Sequence, residues 1–499
     1  MEQRDAVEET AEQTEKQPAK KESIKEAVSI FRAYDVRGKY PDGINEDIAY
    51  LIGRAFATIF CKPGSKSAGS RPGVSVGASV TVAVGGDSRL STPAIKDMLI
   101  QGLIDSGADV ADIGMAATPV VYFAAYKLGY DYGIAVTGSH LGKEFNGMKF
   151  CDSNGIPISF EGGLEKIKEL TETKRVRVVT DAQRGTIKTR DVSDDYVKFM
   201  SSLFPLSLRG MTVVVDGANG AAGKLYARAL RAAGADVIEM YCEPDGNFPN
   251  HTPDPMDKEF IVDLQRRIKA AGADVGMGFD GDGDRINFVD ERGGVVDTNH
   301  IFSLMIEDAL KEKANKGAMI VHDVLCSKLV DDVIEAAGGV SLTWRVGHTY
   351  IANKCFEEKA LMAGEVSGHY FFKEANYADD VLVAGFKILK ILKETGKSLS
   401  KLTKKYPRFY NYGDRVPVKE EEKFAFIEQL KDRFASQGLN IMTMDGVRVN
   451  FDNGWMLFRP SNTEAKISMG YESSDPKEFQ KIKQMAEDII KRIPKPKEK

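Results

Sequence analysis

At 499 residues the chain is several times the size of a single hydrophobic core, so about three or four domains are expected. Hydrophobic residues at 42% and charged residues at 28% are ordinary for a globular protein, and a net charge of −5 lacks the concentrated Lys and Arg excess of a nucleic-acid surface. No apolar run approaches a membrane span and no hydrophobic leader opens the chain, while five scattered cysteines without a C-x-x-C pair read as reduced thiols of a cytoplasmic protein.

Met1 to about Glu22 is rich in Glu, Lys, Gln and Ala, with no aromatic residue, and is expected to be a disordered tail within 1–25. Beyond it, one pattern occurs three times: a β-branched run, small polar residues, a helical stretch, then a glycine-led strand. The copies begin at Thr81 (TVAVGGDSR), Thr212 (TVVVDGANG) and Met319 (MIVHDVLCS). Their helices end before Gly107, Gly234 and Gly338, where glycine suits a left-handed cap, and Gly272 marks another such join. Repeated strand–helix–strand units predict three similar α/β domains with mixed, mostly parallel sheets, assigned to 26–190, 191–297 and 298–404. The stretch from Pro63 to Ser79 is expected to be a surface loop inside the first of these. From about residue 405 a strand, an amphipathic helix near Glu420 to Gln437, two strands around Val447 to Phe458 and a final helix predict a smaller C-terminal α+β domain, 405–499.

Four loops carry chemistry. The first, Thr137 to Lys149, follows the apolar strand YGIAV, and open α/β sheets place ligands at such strand ends. Small neighbours should leave Ser139 exposed, with His140 and Lys149 beside it for proton transfer and positive charge. Its plain alternative is a strand-to-helix turn whose serine caps the helix. The second, Asp280-Gly281-Asp282-Gly283-Asp284-Arg285, sets three carboxylates on one tight turn, which repel unless a hard cation such as Mg²⁺ neutralises them. A calcium EF-hand shares the first spacings, but Arg285 stands where that loop needs glycine, and strands rather than helices flank it.

The third loop, Gly364 to His369, offers Glu365, Ser367 and His369 to sugar hydroxyls, on one side if the segment is extended. Arg345 and His348 nearby add a cation and an imidazole, although any single histidine is more often structural. The fourth, Arg459-Pro460-Ser461-Asn462-Thr463-Glu464, combines a guanidinium fork, hydroxyls, an amide and turn N–H groups, which suits a phosphate dianion. Alone it would read as a polar hairpin turn.

Together and in this order, the four loops resemble the α-D-phosphohexomutase family from about Phe31 to Tyr471, and the opening FRAYDVRG looks like that family's N-terminal signature. The resemblance implies four domains around one central cleft. It implies that Ser139 is a phosphoserine and that Asp280, Asp282 and Asp284 bind Mg²⁺ together with the serine phosphate. Glu365 and Ser367 would bind sugar hydroxyls, Tyr34 would line the active site, and Arg459, Ser461, Asn462 and Thr463 would hold the phosphate that is not reacting. Lys149, His348 and His369 would transfer protons or contact phosphate, with Arg37 and Arg285 stabilising charge; the loops themselves add His140 as a proton-transfer group and Arg345 as a substrate contact. Two departures stand out: Leu141-Gly142 replaces the usual Asn-Pro and is expected to loosen the serine loop, and Ala465 replaces a usual proline.

The expected reaction moves phosphate between C6 and C1 of a hexose through phosphoserine and a hexose 1,6-bisphosphate, which also serves as activator; small hexose phosphates are the expected partners. GEVSGH and RPSNTE look more like the phosphomannomutase/phosphoglucomutase branch than the glucosamine branch, so mannose and glucose phosphates are expected. Rivals are a phosphoglucosamine mutase, a catalytically silent sugar-phosphate-binding protein and a metal-dependent phosphatase using the same aspartates.

Overall fold

The computed structural model describes residues 30–61, 79–461 and 465–494. The N-terminal tail, nearly all of the Pro63–Ser79 stretch, and Asn462, Thr463 and Glu464 therefore lie outside the described residues.

The first sheet contains β1 (Val36–Lys39), β2 (Thr81–Gly86), β3 (Asp109–Met115), β4 (Tyr132–Val136), β5 (Phe145–Asp152) and β6 (Ile187–Thr189), in the order β1-β5-β4-β2-β3-β6. The second contains β7 (Thr212–Asp216), β8 (Asp236–Met240), β9 (Val275–Phe279), β10 (Ile286–Asp290) and β11 (Val295–Val296), in the order β11-β10-β9-β7-β8. The third contains β12 (Met319–Asp323), β13 (Val340–Trp344), β14 (Met362–Gly364) and β15 (Tyr370–Phe372), in the order β13-β12-β14-β15.

One motif is thus built three times. β3-β2-β4-β5, β8-β7-β9-β10 and β13-β12-β14-β15 each join three parallel strands to one antiparallel strand. The parallel strands are Val- and Ile-rich and mostly buried on both faces, as sheets covered by crossover helices must be. At the helix-to-strand joins, Gly107, Gly234, Gly272 and Gly338 all have positive φ, as the repeated GADV and GGVS patterns predicted.

The last sheet is different in kind. β16 (Tyr410–Pro417), β17 (Ile441–Met442), β18 (Val447–Asn450), β19 (Gly454–Pro460) and β20 (Lys466–Ser473) run antiparallel in the order β16-β20-β19-β18-β17. Alternation along these strands sends Val416, Phe458, Ile467 and Met469 into a core shared with the helices Lys423–Ser436 and Pro476–Ile490. A seam of Val324, Trp455 and Leu457 joins this domain to the third sheet's domain. Across the same seam Arg448 Nη1 donates to the Val324 carbonyl at 2.7 Å and Lys328 N donates to Glu472 Oε1 at 2.8 Å.

Among the described residues, no helix is long and apolar enough to cross a membrane. All five cysteines are buried and unpaired.

Candidate active site

Three of the four loops, with the Tyr34 to Arg37 segment, meet in one small chamber of about 130 Å³. Tyr34, Arg37, Ser139, His140, Lys149, Arg285, His348, Glu365, Ser367 and His369 all line it. Tyr34, Arg37 and Val346 are shared with an adjoining chamber of about 770 Å³, whose walls include Arg459 and Ser461. Arg345 lies outside both linings; its guanidinium stacks 3.4 Å from the Tyr350 ring centroid.

The serine loop starts at the carboxyl end of β4, as its sequence suggested, and joins β4 to the antiparallel β5, so the helix-capping alternative fails; Lys149 is carried on β5 opposite Ala135 rather than in the loop. Against the expected exposure, Ser139 is only 1% exposed, because the aspartate turn packs directly on it. A Cβ added to Gly281 would stand 2.8 Å from the Ser139 carbonyl oxygen, which leaves no room for a side chain between the two loops. Ser139 itself has φ +54°, in the left-handed region that costs an L-residue about 1–3 kcal/mol and collects at functional sites. Its Oγ lies 3.1 Å from His140 Nδ1.

The loop is braced by Arg89, a residue that carried no role in the sequence reading. This 1% exposed guanidinium donates to the carbonyls of Ser139 (2.7 Å), Leu141 (2.6 Å) and Phe145 (3.1 Å) and also to that of Gly142. Asp87 Oδ2 holds Arg89 Nε at 2.9 Å and accepts from Thr137 Oγ1 and Gly138 N. The Leu141-Gly142 segment, expected to loosen the loop, is thereby tied to a buried ion pair.

In the aspartate turn, Asp280 Oδ1 accepts from the backbone N–H groups of Asp284 (3.0 Å) and Arg285 (3.1 Å). Thr118 Oγ1 donates to Asp282 Oδ2 at 2.7 Å, Lys149 Nζ reaches the same oxygen at 2.8 Å, and Lys149 also contacts Asp284 Oδ2. One oxygen of each aspartate, Asp280 Oδ2, Asp282 Oδ1 and Asp284 Oδ1, is buried without a hydrogen-bond partner. Carboxylate oxygens of the three lie within 4.8 Å of one another, so the donor set fits a small oxygen-bound divalent cation. Gly283, at φ +74°, turns the chain where a Cβ would meet Ala222 Cβ at 2.4 Å.

The electrostatics follow from this crowding. Burial and the charges of Asp282 and Asp284 push Asp280 well above the usual carboxylate range. Burial disfavours the Lys149 ammonium, but the three aspartates outweigh it and hold the amine protonated. Burial pushes Glu365 up to about 7. The histidines move the other way: burial, opposed by Asp284 and reinforced by Arg285, brings His369 down to about 4, and burial with Lys149 lowers His348 well below its ordinary value.

Arg285 Nε donates to His369 Nε2 at 2.9 Å, which puts the proton of a neutral ring on Nδ1. Facing that nitrogen at 2.8 Å is Asp379 Oδ2, a second residue missed in sequence. The contact is short but off the hydrogen-bond axis, and His348 Nδ1 lies 3.5 Å from the same oxygen. Glu365 to Gly368 forms a hairpin turn, Gly368 N donating to the Glu365 carbonyl at 3.1 Å, rather than the extended segment expected. Glu365, Ser367 and His369 nevertheless face one chamber because β14 and β15 bring the turn's two ends together.

Models of all four domains of phosphoglucomutase/phosphomannomutase match the chain: α/β/α domain I over 28–177, domain II over 194–294, domain III over 297–410 and the C-terminal domain over 415–489. The chain belongs to the phosphoglucomutase/phosphomannomutase family. A phosphomannomutase/phosphoglucomutase of Pseudomonas putida is 37% identical over 468 residues, covering 93% of this chain and 96% of that protein. A phosphomannomutase of Escherichia coli K12 is 33% identical over 452 residues, covering 89% and 95%. The crystal structure of a phosphoglucomutase/phosphomannomutase family protein from Burkholderia thailandensis superposes with a TM-score of 0.83 at 32% identity, covering 93% of this chain and 97% of that one.

Proposed function

We propose that this chain catalyses the reversible transfer of phosphate between C6 and C1 of a hexose, with mannose and glucose phosphates as substrates and Ser139 as the phosphoryl carrier. The observation that carries the reading is convergence: a strained, braced serine lines a small chamber that adjoins an arginine-walled one, and three clustered aspartates pack against the serine loop and pair with Lys149 of the chamber wall. Relatives at 33–37% identity over nearly their whole length bear the corresponding names.

In the forward half-reaction the bond between Ser139 Oγ and phosphorus breaks as a hydroxyl oxygen of the hexose monophosphate bonds to phosphorus. The sugar hydroxyl gives its proton to a base, the departing Ser139 Oγ takes up a proton to become the free hydroxyl, and the product is a hexose 1,6-bisphosphate. After that intermediate turns over, its opposite phosphate returns to Ser139. Free hexose 1,6-bisphosphate would act as activator by restoring phosphoserine. Asp280, Asp282 and Asp284 would hold Mg²⁺, which supplies charge neutralisation at the transferring group when bound. Arg37, Lys149 and Arg285 add fixed positive charge there, preorganised in a buried site.

His348 is favoured as the proton acceptor for the sugar hydroxyl, because both its ring nitrogens lack a hydrogen-bond partner while His369 Nε2 is engaged by Arg285. Glu365 and Ser367 would fix sugar hydroxyls, and Arg459 with Ser461 the distal phosphate. Buried unpaired thiols fit a reducing compartment, the cytoplasm.

A coupled assay on mannose 1-phosphate, glucose 1-phosphate and glucosamine 1-phosphate, run beside Ser139→Ala, tests the reading. Isomeric 6-phosphates from the first two, lost in the variant, support it. Release of inorganic phosphate, or turnover of the glucosamine ester alone, overturns it.

A further inference from the structure

The sheet of the last domain carries a row of side chains that no motif marks. Arg415 in β16 pairs with Ser468 in β20, and Ser468 pairs on its other side with Arg459 in β19. Directly opposed residues on neighbouring antiparallel strands project to the same face. The next residues along, Val416, Ile467 and Phe458, are buried in the domain's core, so Arg415, Ser468 and Arg459 occupy the opposite face. That face walls the larger chamber, and all three residues line it beside Ser461.

Neighbouring antiparallel strands stand about 4.7–4.9 Å apart, so the two arginine positions flank Ser468 across a span that their long side chains can close. The chamber's other wall adds Arg32, Arg37 and Lys39 against Asp35, which pairs with Arg37, and Glu161, so cations outnumber acids in the lining and favour an anion. Acids stand beside Arg415 and Arg459 as well. Asp445 Oδ2 approaches Arg459 Nη1 at 3.4 Å, and Asp414 accepts from the backbone N–H of Arg415. Arg459 Nε is buried with no hydrogen-bond partner, a donor still available to a ligand.

We infer that Arg415 and Ser468 complete, with Arg459, a clamp for the phosphate dianion that is not being transferred. The inference rests on the cleft being a hexose-phosphate site and deepens that reading. A phosphate dianion presents three acceptor oxygens and takes a planar fork from each guanidinium, with the serine hydroxyl between them. A grip shared by two arginines recognises the dianion itself, so it is the same grip whether C1 or C6 carries the phosphate. It is a binding contact made equally in ground and transition states, so its loss falls on KM.

The test is steady-state kinetics on glucose 1-phosphate with Arg415→Gln, Arg415→Lys and the unaltered chain, alongside calorimetric titration of each with glucose 1,6-bisphosphate. The expected result for Arg415→Gln is a KM raised roughly ten-fold or more, with a much smaller fall in kcat, and bisphosphate affinity weakened to a similar degree. Lys at 415 should recover part of the loss. A KM and a bisphosphate affinity both within two-fold of the unaltered chain would overturn the clamp. Should the unaltered chain turn over no hexose phosphate, the mutase reading fails by itself. The titration then decides the clamp: weaker binding by Arg415→Gln upholds it, and equal or absent binding overturns it.

Discussion

The guanidinium of Arg89 and the carbonyl oxygen of Ser139 are joined by a 2.7 Å hydrogen bond inside the protein, with Asp87 closing an ion pair behind the arginine at 2.9 Å. The carbonyls of Leu141, Gly142 and Phe145 share the same donor, so one side chain sets the path of the whole serine loop. Removing it leaves Asp87 buried without its cation, a change that costs about 3–5 kcal/mol for buried pairs. Arg89→Ala is therefore expected to lower the unfolding midpoint sharply and to abolish phosphorylation of Ser139. The milder Arg89→Lys keeps the charge but not the fork, and is expected to stay folded with kcat reduced roughly 100-fold, since misplacing a reacting group by about 1 Å costs that much. A near-normal kcat in a folded Arg89→Lys would show that the brace is dispensable.

Gly283 offers a second, purely steric test. At φ +74° an alanine is strained by about 1–2 kcal/mol, and its methyl would press on Ala222 at 2.4 Å. Gly283→Ala is expected to weaken both thermal stability and divalent-cation affinity, because the turn carries Asp282 and Asp284 on either side. Isothermal titration with Mg²⁺ checks the second effect independently of turnover.

For the cation itself, chelation with EDTA is expected to abolish mutase activity and Mg²⁺ to restore it. Asp282→Asn is expected to lower kcat by roughly 100-fold or more, the scale on which removing one electrostatic contact to a developing charge acts. Full activity after exhaustive chelation would remove the metal from the account.

The seam between the last two domains predicts a pH effect away from the chemistry. Glu472 accepts from Lys328 N across that seam, and burial pushes its carboxyl from 4.5 up to about 7. Between those values the folded protein keeps a proton that the unfolded chain has released. Stability from this group is therefore full at low pH and is lost as pH rises through about 7. The unfolding midpoint of the unaltered chain should decline from pH 5.5 to 7.5 more steeply than that of Glu472→Gln. Equal slopes in thermal melts would contradict the assignment.

Much of this was legible in sequence because it is written in local pattern. The thrice-repeated strand–helix–glycine pattern specified three sheets of one topology, and the alternating Asp and Gly of 280–284 specified a carboxylate cluster. Arg89 and Asp379 were not legible, for a physical reason. Each acts on groups distant in the chain: Arg89 holds carbonyls in the loop after β4, and Asp379, whose neighbour Asp380 precedes the helix Val381–Thr395, faces His369. A charged Asp-Ser-Arg at the end of β2 and paired aspartates before a long apolar helix were the available signals. Ser139 was expected to be exposed because its small neighbours were considered without the aspartate turn that covers them. Arg415 escaped notice because only strand register brings it beside Ser468 and Arg459.

The central claim is that Ser139 carries the phosphoryl group, and intact-mass measurement after incubation with glucose 1,6-bisphosphate and Mg²⁺ tests it most directly. One added phosphoryl group is expected on the unaltered chain, mapped to Ser139 by peptide sequencing, and none on Ser139→Ala. An unmodified unaltered chain, or equal modification of the Ser139→Ala protein, would contradict it.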